Sequence, residues 1–392
     1  MTTRLADLLH TLSTPDADTT GPPLCLATGP LGPALLHLMH DPDTAHPWIQ
    51  AATTDGLDPD DRATLFYGLP ALACVLSYAP QDRYMRDRAI LTSHLNALTQ
   101  HRLRVAHHRI DQRRMPSYGE YDLISGLTGI GVALMRTDPH GTALEQVLTY
   151  LVRLTEPLRT DDGWLPGWWV HHDPRMGHSS AFPRGHMNLG MAHGISGVLA
   201  LLALNHRKGR HVPGHEDAMR RLCATLDTWQ RTDRYGPWWP GWTTVPRPDS
   251  SPQPLTRPGP PSWCYGTPGP ARAQQLAGLA LEDTDSQRTA ERALLACVRR
   301  SARQPQKADH GLCHGRAGLL QTLRRAAHDQ QPAIGTEPLS DSIREVHARS
   351  VADDVPISEE PGLLEGQAGL ALALLNTPRP AHLWDTLLLL DA

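Results

Sequence analysis

The chain has 392 residues, with 37 Lys+Arg against 41 Asp+Glu and a formal net charge of −4. That balance argues against a nucleic-acid-binding protein, which needs a basic stripe, and the longest strongly apolar stretch, Ile195 to Leu204, is about half of a membrane-spanning helix. The segment Met1 to Leu12 carries Arg4, Asp7 and His10 and lacks the apolar run of a secretory signal. The six cysteines are scattered through a long sequence, which points to reduced thiols rather than a disulfide framework. A cytoplasmic, soluble enzyme or binding protein is therefore the expectation.

In chain order, one short unit recurs. A G-x-x-G or G-x-x-A element, mostly heading an apolar run, starts at Gly29, Gly68, Gly126, Gly194, Gly266, Gly315 and Gly366. Successive starts lie 39, 58, 68, 72, 49 and 51 residues apart, periods that suit stacked or circularly arranged supersecondary units. Between the units, residues 143–158 place Leu144, Val147, Leu148, Leu151, Leu154 and Leu158 at helical spacing. Residues 215–230 do the same with Met219, Leu222, Cys223, Leu226 and Trp229. The run Gly194–Leu204 is instead apolar on nearly every side, as in a helix buried all round.

Alternation of amphipathic outer helices with glycine-headed inner ones predicts an all-α fold, an α/α toroid of about seven inner and seven outer helices. A solenoid of short helical hairpins is the alternative. The expected organisation is a single domain over residues 1–392, with irregular insertions at about 160–191 and 236–261. The first insertion is rich in Trp, His, Pro and Gly, and the second contains nine prolines and cannot be one helix. Each precedes a glycine unit, which places both over the mouth of the ring.

Reactive side chains stand directly before several of these glycines. They read SWCYG at 262–266, LCHG at 312–315 and NLGMAHG at 188–194, while YDLISG at 121–126 sets Asp122 a turn earlier. If equivalent repeat positions lie at one end of a ring, these residues meet in space. Cys264, Cys313 and His314 would then be three ligands suited to Zn2+, leaving one open position on a tetrahedral ion; the alternative is that both cysteines are buried small hydrophobes. Adjacent Cys–His ligation is unusual on a regular helix, where neighbouring side chains diverge by about 100°, but an irregular helix start next to Gly315 permits it. His193 is a candidate general acid or base. Asp122 could orient that histidine, bind substrate or interact with a helix N-terminus, and Tyr265 could donate a hydrogen bond or pack against the wall. The cluster His171, His172, His178 and His186 matches no familiar metal spacing.

With these motifs the sequence resembles the LanC family, the lanthionine synthetase C-like cyclases of lanthipeptide biosynthesis. The resemblance rests on YDLISGLTGIG (121–131), NLGMAHGISG (188–197), SWCYGTPG (262–269), LCHGRAGLLQ (312–321) and LLEGQAGLAL (363–372). It implies an α/α toroid, zinc held by Cys264, Cys313 and His314, and proton transfer by His193 and Asp122 with Tyr265 beside them. The implied reaction is intramolecular Michael addition of a precursor-peptide cysteine to dehydroalanine or dehydrobutyrine, giving a lanthionine or methyllanthionine ring. The dehydrated precursor peptide and a dehydratase of the same pathway are the implied partners. One position departs from the pattern. Many members carry Arg four residues before the WCYG cysteine, and here that residue is Pro260, with Arg257 the nearest upstream arginine.

Two other classes fit parts of the pattern. A non-catalytic LanC-like scaffold would keep the zinc and thiol site but has no need of His193 and Asp122. A zinc-dependent thiol prenyltransferase-like enzyme also activates a peptide thiol, but the CHG pair speaks against it. A toroid glycosidase is disfavoured because no pair of carboxylates stands at equivalent ring positions.

Overall fold

The structure is a computed structural model that describes residues 2–15, 21–57, 59–160, 163–244, 257–303, 309–331, 337–352, 358–375 and 383–391. Its helices in chain order are α1 (Thr3–Thr11), α2 (Leu31–His40), α3 (His46–Thr53), α4 (Leu69–Leu76), α5 (Met85–Asp111), α6 (Tyr118–Tyr121), α7 (Leu127–Thr137) and α8 (Thr142–Leu154). They continue with α9 (Ile195–Arg207), α10 (His215–Trp229), α11 (Pro268–Ala280), α12 (Thr284–Arg303), α13 (Arg316–Asp329), α14 (Ser340–Val351) and α15 (Gln367–Leu375).

All seven glycine units head a helix. These helices (α2, α4, α7, α9, α11, α13 and α15) each touch the next in that order, and α15 returns to α2, closing a ring. Every residue of α4 is buried, as is every residue of α9 from Ile195 to Asn205. A second ring surrounds the first: α3 lies on α2, α5 on α4 and α7, α8 on α7, α10 on α9, α12 on α11, α14 on α13 and α1 on α15. Outer helices such as α5 bury a stripe, with Leu91, Leu95, Thr99, Leu103 and Ala106 turned inwards, whereas α12 is buried on every side from Ala293 to Val298. The architecture is the α/α toroid, and the solenoid alternative is excluded by the contact between α15 and α2.

The second glycine of the unit has a steric cause. A Cβ on Gly129, Gly197, Gly269, Gly318 or Gly369 would stand 1.9 to 2.5 Å from the carbonyl oxygen six residues earlier, on Leu123, Met191, Trp263, Leu312 and Leu363. The turn before each of these inner helices thus folds back over the helix's own first turn, and any side chain there collides with main chain. The first glycine is equally enclosed, since a Cβ on Gly126 or Gly315 would lie 2.3 or 2.5 Å from backbone.

The lumen is filled by the chain's own carboxy-terminal segment. Trp384, Asp385 and Leu387 to Leu390 are all buried, and the 3-10 turn Trp384–Leu388 touches α7. From other sides of the ring, Trp263 Nε1 donates to Leu388 O (3.0 Å), Arg272 Nε of α11 to Leu390 O (3.0 Å), and Gln321 Nε2 of α13 to Asp385 Oδ2 (2.7 Å).

The two stretches expected to be irregular contain short strands. β1 (Leu158–Thr160) pairs antiparallel with β2 (Gly163–Leu165), β3 (Met187–Asn188) with β6 (Trp242–Thr243), and β4 (Arg231–Asp233) with β5 (Gly236–Trp238). The β3–β6 pair ties one insertion to the other. Residues 245–256 of the second insertion lie outside the described residues. No described helix is long and apolar enough to cross a membrane.

The glycine geometry generates a stability prediction. Gly318→Ala, whose Cβ would meet Leu312 O at 1.9 Å and Trp263 Cβ at 3.3 Å, should lower the unfolding free energy by about 1–3 kcal/mol or more. Gly259→Ala, with nothing within 4 Å, should stay within about 0.5 kcal/mol of the parent. Urea denaturation midpoints of the two variants check this.

Candidate active site

The turns that precede the inner helices are bonded to one another through their backbones. Leu123 N donates to Ala192 O (3.1 Å), Met191 N to Cys264 O (2.9 Å), Cys264 N to Cys313 O (3.3 Å), Cys313 N to Leu364 O (2.9 Å), Leu364 N to Ala27 O (2.9 Å) and Leu26 N to Phe66 O (2.9 Å). Residues far apart in sequence are thereby fixed side by side at one end of the ring. Gly126, Gly194 and Gly315 occupy the helix N-caps in extended conformation with no capping side chain, so positive helix ends face the same region.

Cys264, Cys313 and His314 place their ligand atoms within 4.8 Å of one another, and among the described residues they are the one group of three His, Cys, Asp or Glu side chains that could hold a metal ion. Cys264 and Cys313 are buried, while the His314 side chain is half exposed. His314 belongs to the turn ahead of α13 rather than to the helix itself, which lets adjacent residues face one centre. Two thiols and an imidazole are the donor set of a soft or borderline cation such as Zn2+. Without a metal the three groups act on one another. A hydrogen bond from Cys313 and the facing His314 hold the Cys264 thiol well below its ordinary range, despite burial. The same bond, together with burial, pushes Cys313 up, and the Cys264 sulfur pushes His314 up to about 9.

The second cluster is one turn away. His193 Nδ1 lies 2.5 Å from Asp122 Oδ2, and Asp122 Oδ1 accepts from Ser125 N (2.5 Å) and Gly126 N (3.0 Å). Asp122 therefore does two of the three things its position allowed: it orients the histidine and it serves the N-terminus of α7. It is wholly buried, and that burial raises its pKa against the opposing pull of the His193 and backbone hydrogen bonds. Tyr265 both packs and hydrogen-bonds: its ring stacks on His193 (5.7 Å, 30°) and meets Trp242 edge-on (5.9 Å, 87°), and its hydroxyl hydrogen-bonds with the Asn188 side chain. The His171, His172, His178 and His186 group forms no ligand set. His186 instead is buried, bonded to Tyr118 Oη (2.5 Å) and to His172 O (2.8 Å).

Four residues of the site escaped the sequence reading. Tyr118 stacks on His193 (5.1 Å, 23°), and Asn188 Nδ2 donates to Tyr118 Oη (2.8 Å) while its Oδ1 accepts from Gly190 N (2.8 Å). Arg102 of α5 reaches between the rings to donate to Ser125 O (2.9 Å). Glu365 Oε1 lies 3.7 Å from His314 Nδ1. Glu365 alone had a usable signal, since it immediately precedes Gly366 as His314 precedes Gly315. Asn188 opens the NLGMAHG unit without a role being readable there, and nothing in local sequence marks Tyr118 or Arg102.

A sequence profile described as lanthionine synthetase C-like protein matches residues 27–389. The chain belongs to the lanthionine synthetase C-like family. Within the family it is 23% identical over 264 residues to Nisin biosynthesis protein NisC of Lactococcus lactis subsp. lactis, covering 65% of this chain and 60% of that protein. It also superposes on a solved structure of nisin cyclase with a TM-score of 0.73 and 20% identity, covering 98% of this chain and 95% of the other. At that identity the superposition speaks for the fold.

In this lanthionine synthetase C-like chain the position four residues before Cys264 is Pro260. Pro260 O accepts from Ser262 N (2.7 Å) and closes the turn into Gly266, and Arg257 is exposed.

The pKa of His314 is raised on folding, so its contribution to stability is complete below the unfolded-state value near 6.5 and is lost as pH rises through about 9. In metal-free protein, the difference in thermal midpoint between the parent and His314→Ala should be greatest below about pH 6.5, shrink steadily as pH rises from there to about 9, and be lost above it.

Proposed function

We propose that this chain is a zinc-dependent lanthipeptide cyclase, and that residues 1–392 form a single domain whose insertions near 160–191 and 236–261 help to receive the peptide. The observation that carries the reading is the convergence, at one end of the ring, of a two-thiol and imidazole ligand set with a carboxylate-held histidine. A binding scaffold needs only the first.

Cys264, Cys313 and His314 would hold the metal, and Zn2+ bound there supplies a Lewis acid that favours the thiolate of an entering peptide cysteine at neutral pH. Asp122 Oδ2 takes the Nδ1 hydrogen of His193, which leaves Nε2 to carry the exchanging proton. The stacked rings of Tyr118 and Tyr265 fix the plane of that imidazole. The peptide sulfur bonds to the β-carbon of dehydroalanine or dehydrobutyrine, and the alkene electron pair moves towards the α-carbon as an enolate. His193 delivers a proton to the α-carbon. One proton is lost from the thiol and one is gained at carbon, so the ring closes with no change in peptide mass. Holding two parts of one peptide together supplies the rest of the rate. The substrate must arrive already dehydrated, which assigns a dehydratase of the same pathway as the supplying partner.

Untagged protein should carry about one zinc per chain by mass spectrometry, and Cys313→Ala should carry none. With a dehydrated cysteine-containing peptide, the parent should consume free thiol at constant peptide mass. His193→Ala should keep its zinc and cyclise about 10²–10⁴-fold more slowly. Zinc-loaded parent protein that leaves the thiol untouched would favour the non-catalytic scaffold, and well-folded protein that takes up no zinc would sink the mechanism.

A further inference from the structure

We propose that Glu365 is a positioning residue for His314, accepting its Nδ1 hydrogen and so committing Nε2 to the metal; the inference rests on the metal reading above. The two ring nitrogens are already divided between two neighbours. Nε2 lies 3.9 Å from Cys313 Sγ, and Nδ1 lies 3.7 Å from Glu365 Oε1. A neutral imidazole ligates through whichever nitrogen has no hydrogen, and a carboxylate accepting from the other nitrogen fixes both tautomer and ring orientation.

Glu365 is not a carboxylate that merely happens to be near. It stands one residue before Gly366, as His314 does before Gly315, so the repeat sets both at the same level of adjacent turns. Cys313 N donates to Leu364 O (2.9 Å), and a Cβ on Gly311 would meet Glu365 Cα at 3.2 Å and Leu364 O at 2.9 Å. The sixth and seventh turns are therefore locked one residue away from each side chain. Closing 3.7 Å to hydrogen-bond length needs only a rotation of half-exposed side chains, since His314 and Glu365 are 50% and 53% exposed. The other acid acting on His314, Asp309, is committed to the backbone through Gly311 N (2.7 Å).

The test is zinc affinity of the full-length protein, by competition with a chromogenic chelator, together with the visible spectrum of the cobalt(II)-loaded protein. Glu365→Ala should bind zinc about 10–100-fold more weakly and shift the cobalt bands, with the far-UV circular dichroism of the metal-free protein unchanged. Glu365→Gln should recover most of the affinity, since its amide oxygen accepts the same hydrogen, and Glu359→Ala at an exposed site should match the parent. Parental affinity in Glu365→Ala overturns the inference, as does a Glu365→Gln protein as weak as the alanine variant, which would indicate charge rather than orientation. A parent that holds no metal overturns the metal reading itself, an outcome separate from a parent that binds while the variants do not differ.

Discussion

The circle of backbone hydrogen bonds that joins one inner turn to the next underlies the rest of the molecule. Each turn donates to its successor, from Leu123 through Ala192, Cys264, Cys313 and Leu364 to Ala27, and Leu26 passes the circle on to Phe66. Between the second and third turns the link is packing, with Leu65 Cβ 3.1 Å from where a Cβ on Gly129 would lie. Buried amides need partners, and here strand-like pairing between turns provides them without a sheet. The same bonds convert a long sequence separation into adjacency, because Cys264 and Cys313 are themselves consecutive members of the circle.

The glycines are the steric condition for that arrangement. A turn that doubles back over its own helix leaves no volume for a Cβ, as Leu312 O and Leu363 O show at Gly318 and Gly369. Backbone closeness then decides where side chains go. Residues two before the glycine, such as Cys264 and Cys313, are buried in the circle, and residues one before it, such as His193, Tyr265, His314 and Glu365, retain exposure. The candidate chemistry needs both kinds: buried sulfurs that share a hydrogen bond, and accessible groups that can meet a peptide.

Below this end the ring is closed by the molecule's own carboxy-terminal segment, held by Trp263, Arg272 and Gln321. Trp263 adjoins Cys264, so one turn is anchored to the plug through one residue and carries a thiol of the candidate site on the next. At the mouth, β3 and β6 bind the two insertions together, and Leu189 N donates to Gly241 O (2.9 Å) beside Tyr265. The site thus has a floor made by residues 384–390 and a rim that includes the β3–β6 pair.

Periodicity in the sequence determined the inner and outer helices, their number and the shared level of the glycine turns, because helix burial and the exclusion of Cβ atoms are local constraints that leave a local trace. It also marked Cys264, Cys313, His314, His193 and Asp122, since each occupies a fixed offset from a glycine. Only the tertiary structure decided how these residues engage one another: that Asp122 divides its oxygens between His193 and the start of α7, and that Tyr265 stacks on the histidine. It likewise brought in Tyr118, Asn188 and Arg102, and placed the carboxy-terminal plug. These last contacts join residues with no common offset from the repeat, through rings, side-chain hydrogen bonds and a lumen whose shape exists only once the circle has closed.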